Sequence, residues 1–235
     1  MDNRAALRFP ARPVISRYLK EQFPLAKRIV TRSRAPYLMV AMLNDLSSPL
    51  EYLGSRRSGR AREMVGPGPT PEQLAAILEI AARSPDHGKL TPWRFVVVER
   101  EQREALAQLL KAALVEDDPQ TAPAMLTKAD AFARQGESLV VVLSAPIVGH
   151  KIPQWEQTLS VGAAAMNLLH ATHATGFVGS WLTGWAAYHP RVRAAFCVGT
   201  ERIAGFFFLG SPGQPVTERA RPDPRSVVRA WNPPL

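Results

Sequence analysis

Apolar residues along the chain follow two spacings, and each spacing predicts a different kind of element. In the segment TPEQLAAILEIAARS, apolar residues recur every three or four positions, as on one face of a helix. Thr70 can cap this helix and Gln73 completes a capping box, while Pro85 ends it after Ser84. Three largely apolar runs instead predict buried strands, at 94–99, 138–147 and 202–210.

Other segments predict helices before and between these strands. A short helix begins at Ser48 and Pro49, with Leu50 and Leu53 on one face. Further helices are expected at 101–115, 156–175 and 190–196. The residues from 117 to 136 are ambiguous and read as a mobile polar helix or lid. Because helices alternate with strands, the pattern predicts an α/β or α+β sheet covered by helices.

Two details refine this pattern near the middle of the chain. The helix at 156–175 is rich in small residues, which permits close approach of another backbone, and Gly176 is expected to end it. The segment FVGSWLTG that follows is expected to be extended. The proline-rich residues after Pro212 cannot form a core alone and are expected to lie across other elements.

Basic residues are concentrated at the start of the chain. The formal net charge is +9, but residues 1–50 hold nine basic and three acidic residues, and the other 185 hold 20 and 17. We interpret residues 1–47 as a basic N-terminal arm before a domain at 48–235. A flexible arm, an organelle-targeting segment and a misassigned start are all compatible with this composition. A nucleic-acid-binding protein that acts through this arm is one alternative function.

Several kinds of chemistry lack their sequence signals. There is no G-x-G-x-x-G after a strand, no Walker A lysine loop and no G-x-S-x-G elbow. The lone Cys197 excludes an internal disulfide, fits a reducing, cytoplasmic compartment and reads as an inert buried thiol. His170 and His173 can meet on one helix face, where a packing or surface role is favoured over a metal site.

The remaining signal is the cluster RRSGR at 56–60, which suits either an anion or a solvated helix end. Together with ARSPDHGKLTPWRFVVVE and HKIPQWEQTLSVGAAAMNLLHATHATGFVGSWLTG, it resembles the FMN-dependent nitroreductases, in their YdjA-like form. The resemblance runs from about residue 48 to the end. It implies an α+β fold with a mixed β-sheet wrapped by helices, and a homodimer with FMN at the interface.

The resemblance also implies roles for particular residues. Arg56, Arg57 and Ser58 would hold the phosphate and ribityl end of FMN, and Arg60 would approach its pyrimidine end. The other implied cofactor contacts are Arg83, His87, Trp181, Leu182, Thr183 and Arg225. Leu182 would contribute backbone contacts, because its side chain is apolar.

The activity implied by the resemblance is that of an NAD(P)H-dependent flavin oxidoreductase. NADH or NADPH would give hydride to flavin N5, and a nitroaromatic, quinone or similar acceptor would then take two electrons in a ping-pong cycle. The cofactor does this chemistry, so no catalytic side chain is expected. An alternative keeps FMN but serves a specialised reaction: flavin destruction, dehalogenation or azoline oxidation.

Overall fold

The structure is a computed structural model that describes residues 42–233. Most of the basic arm at 1–47 therefore lies outside the described residues, and its role stays a prediction. The chain divides into two compact units. The larger spans 56–217, and the smaller combines the described residues up to Ser55 with those from Glu218 onward.

The smaller unit contains two short helices, α1 (Pro49–Ser55) and one near its C-terminal end, Pro224–Val227. Ser48 caps α1 as predicted, since its Oγ accepts from the Glu51 N–H at 3.1 Å. The face that carries Leu50 and Leu53 is not the buried face of this helix. Leu50 and Leu53 are exposed, and Tyr52 is the buried residue of this helix.

The larger unit holds the sheet and the helices that cover it. Its strands are β1 (Met64–Val65), β2 (Trp93–Val98), β3 (Ser138–Ser144), β4 (Val178–Leu182) and β5 (Arg202–Pro212). Its α-helices are α2 (Pro71–Ala82), α3 (Arg103–Asp117), α4 (Pro123–Arg134), α5 (Gln154–Ala174), α6 (Trp185–Tyr188) and α7 (Pro190–Phe196). Short 3-10 turns lie at Ala61–Glu63, His87–Lys89 and Arg100–Gln102. The helix at Pro224–Val227 is α8.

The predicted capping of two helices is confirmed. The Thr70 hydroxyl accepts from the Gln73 N–H, and the Gln73 side chain accepts from the Thr70 N–H. At the end of α5, the Gly176 N–H donates to the carbonyl of His173, and the next N–H donates to that of Thr172. This pair of bonds is a Schellman motif, and Gly176 has the positive φ of 88° that it requires.

Strand β5 is the centre of the sheet. It pairs with β1, β3 and β4, and β2 extends the sheet on the outer side of β3. Every strand pair among the described residues is antiparallel, whereas a mixed sheet was expected. Buried strands are apolar on both faces in either arrangement, so their composition does not reveal direction. The α+β class itself is confirmed.

Helices cover both faces of the sheet. Alternate residues of β3 point to opposite sides. Val141 belongs to a core cluster with residues of α3, α4, α6 and α7, and Val140 belongs to a second cluster with residues of α2 and α5. Strand β5 alternates in the same way, with Phe206 on the first side and Phe207 on the second. We call the second side the α5 face.

The ambiguous segment 117–136 is mainly helical, which is one of the two structures expected for it. Most of it is α4, whose Ala129 and Ala133 are buried against the core. Phe132 packs edge-on against Phe206 and Phe208, with ring centres 5.3 Å apart in both pairs. The apolar face of α4 is hard to recognise in the sequence, because its two buried residues are alanines, which are only weakly hydrophobic.

Candidate functional site

The Arg-rich motif at 56–60 forms a compact set of donors. Arg56 Nη1 donates to Ser58 Oγ at 3.2 Å, and Arg57 Nε donates to the carbonyl of Thr217 at 2.8 Å. Arg57 therefore ties the motif to the chain segment that follows β5. Arg60 is exposed and pairs with Glu63 at 2.8 Å. The structure thus brings Arg56, Arg57 and Ser58 together, while Arg60 is held by a neighbouring carboxylate.

Beneath the motif lies a narrow cavity of about 20 Å³. It is lined by Arg57, Ser58, Gly59, Gly213 and Thr217, among others.

Arg56 also lies near the C-terminal end of α5. Burial, followed by the positive charges of Arg56 and His170, lowers the pKa of His173 to about 4. The pKa of His170 is lowered for the same two leading reasons, burial and Arg56. His173 Nε2 accepts from the Gly179 N–H at 3.2 Å, so it has the packing role that was predicted.

The backbone of Arg83 lies beside the middle of α5. Arg83 is the residue that ends α2, and its side chain is exposed. Asn167 of α5 donates to Ser84 Oγ at 3.0 Å and approaches the Arg83 carbonyl at 3.5 Å. These contacts fix the backbone from which the Arg83 side chain extends.

His87 lies at the N-terminal end of α5. It begins the 3-10 turn at His87–Lys89, and its Nδ1 is 2.8 Å from Glu156 Oε2. Both side chains are exposed, so this contact orders groups at the surface of the unit and not in its core.

The segment Trp181–Thr183 ends β4 at the edge of the α5 face. Trp181 Nε1 donates to the Ala204 carbonyl at 3.0 Å, and its ring tilts against Phe207 with centres 5.1 Å apart. Gly205 leaves the space for this ring, since a Cβ there would meet Trp181 Nε1 at 2.2 Å. Leu182 packs into the opposite side of the core, and Thr183 is exposed.

Arg225 belongs to the smaller unit. Its guanidinium forms a two-pronged contact with Asp223, at 2.9 Å and 2.5 Å. This contact raises the pKa of Arg225 and lowers that of Asp223. The predicted cofactor contact of Arg225 stays a prediction.

Helix α5 thus lies beside three of the predicted site residues of the larger unit. Arg56 lies near His170, Arg83 near Asn167, and His87 near Glu156. Fourteen residues separate 156 from 170, which is about 20 Å at 1.5 Å per helical residue. Arg56 of the first motif and His87 of the second therefore lie toward opposite ends of one helix.

Sequence reasoning missed four contact residues of this site. Glu156 and Gln157 lie in the quoted motif PQWEQ, which was the available signal, but they had no assigned role. Asn167 and Thr217 gave no signal, because one is a helix amide and the other contributes only its carbonyl.

Other candidate chemistry is limited to what the described residues show. Within 42–233, no three His, Cys, Asp or Glu side chains come together as a metal site. Cys197 is half-buried, and burial raises the pKa of its thiol, so little thiolate is present at neutral pH. No helix in the described part of the chain is long and apolar enough to cross a bilayer.

Comparison with known proteins decides the family. The sequence model of the nitroreductase family matches residues 53–211, from the end of α1 to β5. The chain belongs to the nitroreductase family. It is also 36% identical, over 184 residues, to a protein of Escherichia coli strain K12 named "Putative NAD(P)H nitroreductase YdjA". That match covers 76% of this chain and 97% of the relative.

Solved structures confirm the nitroreductase fold. A nitroreductase-like family protein from Bacillus cereus superposes with a TM-score of 0.67 at 18% identity, covering 79% of this chain and 96% of that one. A nitroreductase with bound FMN from Bacteroides fragilis superposes with a TM-score of 0.56 at 21% identity, covering 78% and 98%. At these identities the likeness establishes the fold alone.

Proposed function

We propose that this nitroreductase family member is an FMN-dependent NAD(P)H oxidoreductase. The observation that carries the proposal is the joined set of Arg56, Arg57 and Ser58 in a chain of this family. The name of the Escherichia coli relative supports NAD(P)H as co-substrate, and the Bacteroides fragilis structure with bound FMN supports the cofactor.

The donor set fits a phosphate ester. Two guanidinium groups supply planar, permanently charged donors, which match phosphate oxygens better than a single ammonium does. Ser58 Oγ already accepts from Arg56, so its own hydrogen can be donated to a further oxygen. Arg56, Arg57 and Ser58 would hold the phosphate and ribityl end, and Arg60 would approach the pyrimidine end once released from Glu63.

When bound, FMN would supply the redox chemistry, taking electrons from NADH or NADPH and passing them to a nitroaromatic, quinone or similar acceptor. The protein's own residues would bind and orient the reactants. Arg83 and His87 extend from ordered backbone beside α5, and Trp181 presents an aromatic surface that is 38% exposed. Orientation by such groups lowers the barrier without a protein acid or base.

A homodimer is part of the proposal. The start of α5 exposes two large apolar side chains on one face, Trp155 at 70% and Leu159 at 54%. Above Gly162 on the same helix, no atom of residues 42–233 outside the helix's own backbone lies within 4 Å of an added Cβ, so a second backbone can approach closely. In a dimer packed on α5, residues at one end of the helix can contact one FMN, and residues at the other end can contact the FMN of the second subunit.

The first test of the proposed function is the visible absorption spectrum of the purified protein with FMN. We expect a bound-flavin spectrum that bleaches when NADPH or NADH is added without oxygen, and recovers when an acceptor is added. A protein that neither carries nor binds FMN would contradict the proposal. FMN bound but not reduced by either nucleotide would contradict the co-substrate.

The phosphate-binding residues have a test of their own, which is a second arm of the same experiment. The double change of Arg56→Ala and Ser58→Ala should weaken FMN binding by at least tenfold, because a charge-assisted contact is lost. The far-ultraviolet circular dichroism should stay that of the wild type. Arg62→Ala is the matched control, since Arg62 is exposed beside the motif and outside the proposed contacts.

A further inference from the structure

The segment that begins α5 has no role in the function proposed so far. It has the sequence QWEQ, from Gln154 to Gln157. Trp155 is exposed, Glu156 contacts His87, and Gln157 is buried. Three successive residues of a helix point in directions about 100° apart, so these three side chains lie in three different environments.

Gln157 fixes the loop that precedes α5. Its Oε1 accepts from the Ile147 N–H at 2.8 Å, and its Nε2 donates to the Ile152 carbonyl at 3.0 Å. The side chain is 2% exposed, so loss of these bonds would leave the buried Ile152 carbonyl and the partly buried Ile147 N–H without these partners. Gln157 therefore holds Ile152 at a fixed place beside the start of α5.

Ile152 in turn supports the turn that carries His87. Gly88 in this turn has a φ of 76°, and a Cβ added there would meet Ile152 Cδ1 at 2.4 Å. On the other side, Asp86 Oδ2 accepts from the Thr91 N–H at 2.6 Å. The backbone at His87 is therefore supported from both sides, although the imidazole itself is exposed.

Glu156 restricts the remaining freedom of the imidazole. An ionised carboxylate only accepts hydrogen bonds, so the contact at 2.8 Å requires the hydrogen of His87 to be on Nδ1. In the neutral ring, Nε2 then carries the lone pair and is the nitrogen left for another partner. Glu156 is the third residue of α5, where the helix dipole also favours a negative charge.

We propose that Glu156 is a positioning residue that holds His87 as its Nδ1–H tautomer and leaves Nε2 for contact with the flavin. This inference rests on the proposed function, in which His87 contacts FMN. Glu156 acts through His87 and does not itself touch the cofactor. Gln157 and Ile152 hold the backbone at His87 in place, and Glu156 determines the tautomer of its imidazole ring.

The first part of the test needs no cofactor. Long-range ¹⁵N–¹H correlation spectra, recorded where the imidazole is neutral, report which ring nitrogen carries hydrogen, and His87→Gln assigns the signals. We expect the Nδ1–H form in the wild type and a mixture of tautomers in Glu156→Ala. Glu156→Gln keeps an acceptor oxygen and should lie between them. A wild-type mixture equal to that of Glu156→Ala would overturn the proposal.

The second part measures FMN affinity by quenching of flavin fluorescence. Glu156→Ala should weaken binding about fivefold, the size of one lost hydrogen bond. In a His87→Ala background the same change should have no further effect, since the two residues act as one unit. Glu79→Ala is the control, because Glu79 is exposed on α2 and its side chain has no hydrogen-bond partner among residues 42–233.

The outcomes separate this inference from the proposed function. If the wild type binds FMN and Glu156→Ala binds it equally well, the positioning role is wrong and the proposed function stands. An additive loss in the double variant would also overturn it, because Glu156 would then act without His87. A wild type that binds no FMN overturns the proposed function and, with it, the cofactor contact of His87.

Discussion

His173 shows how a single residue links the site to the stability of the fold. Its side chain is 2% exposed, and Nε2 accepts a hydrogen bond from the backbone of Gly179. Protonation would place a second positive charge near Arg56 and would turn this acceptor into a donor facing an N–H. Burial is the largest cause of the lowered pKa, which is about 4, and the charge of Arg56 is the next.

We therefore expect stability to fall as the pH is lowered from 6.5 to about 4. In this window the unfolded chain, with an ordinary histidine pKa of 6.5, binds a proton that the folded protein does not bind. The contribution is complete above pH 6.5, and up to about 3 kcal/mol is lost by pH 4. Urea unfolding at several pH values measures it.

The matched variant for this prediction is His173→Gln. Glutamine can accept from the Gly179 N–H but does not titrate, so its stability should decline less over the same window. Equal declines in the wild type and the variant would show that other groups, not His173, determine the acid sensitivity.

At the scale of elements, α4 is the clearest case of a helix that the sequence did not define. Its packing depends on Phe132, which meets Phe206 and Phe208 of β5 edge-on. Lys111 of α3 and Asp130 of α4 add an ion pair at 2.7 Å between the two helices. The helix is therefore held by tertiary contacts with α3 and β5 more than by its own hydrophobic pattern.

Phe132→Ala should lower the free energy of unfolding by about 2–3 kcal/mol, because it removes two aromatic pairs and leaves a void. Met125→Ala on the same helix is the control. Met125 is 40% exposed, so its loss should cost less than about 1 kcal/mol. Urea unfolding followed by circular dichroism compares the variants. Similar costs for both changes would mean that α4 is loosely packed.

Local signals in the sequence predicted the elements that carry them. The capping box at Thr70 and the terminal glycine at Gly176 depend on neighbouring residues alone, and both were foreseen. Strand direction depends on residues distant in the chain, and it could not be predicted from the pattern of apolar residues. The burial of Tyr52 was not foreseen either.

The same distinction applies to the candidate site. Its arginines and His87 belong to short motifs, so resemblance to a family locates them in the sequence. Their partners are harder to foresee, because Thr217 contributes only a carbonyl and Glu156 lies 69 residues from His87. A contact of that kind exists only after the loop, the turn and α5 have packed together.

At the scale of the whole molecule, the exposed apolar face at the start of α5 requires an explanation. Trp155 and Leu159 are four residues apart and therefore lie on one side of the helix. Large apolar residues grouped on a surface mark an interaction site more often than isolated ones do. The proposed homodimer provides a partner for this face, namely a second copy of the same helix.

Leu159→Glu should therefore convert a dimer into a monomer, because two such charges would be buried against each other across a symmetric interface. Analytical ultracentrifugation should give about twice 25.8 kDa for the wild type and about 25.8 kDa for the variant. Val198→Glu is the control, since Val198 is 80% exposed beyond α7. A dimer that survives Leu159→Glu would place the interface elsewhere.

If FMN binds between subunits, the monomeric variant should also lose FMN affinity. A monomer that retains full affinity would show that one chain holds the cofactor alone.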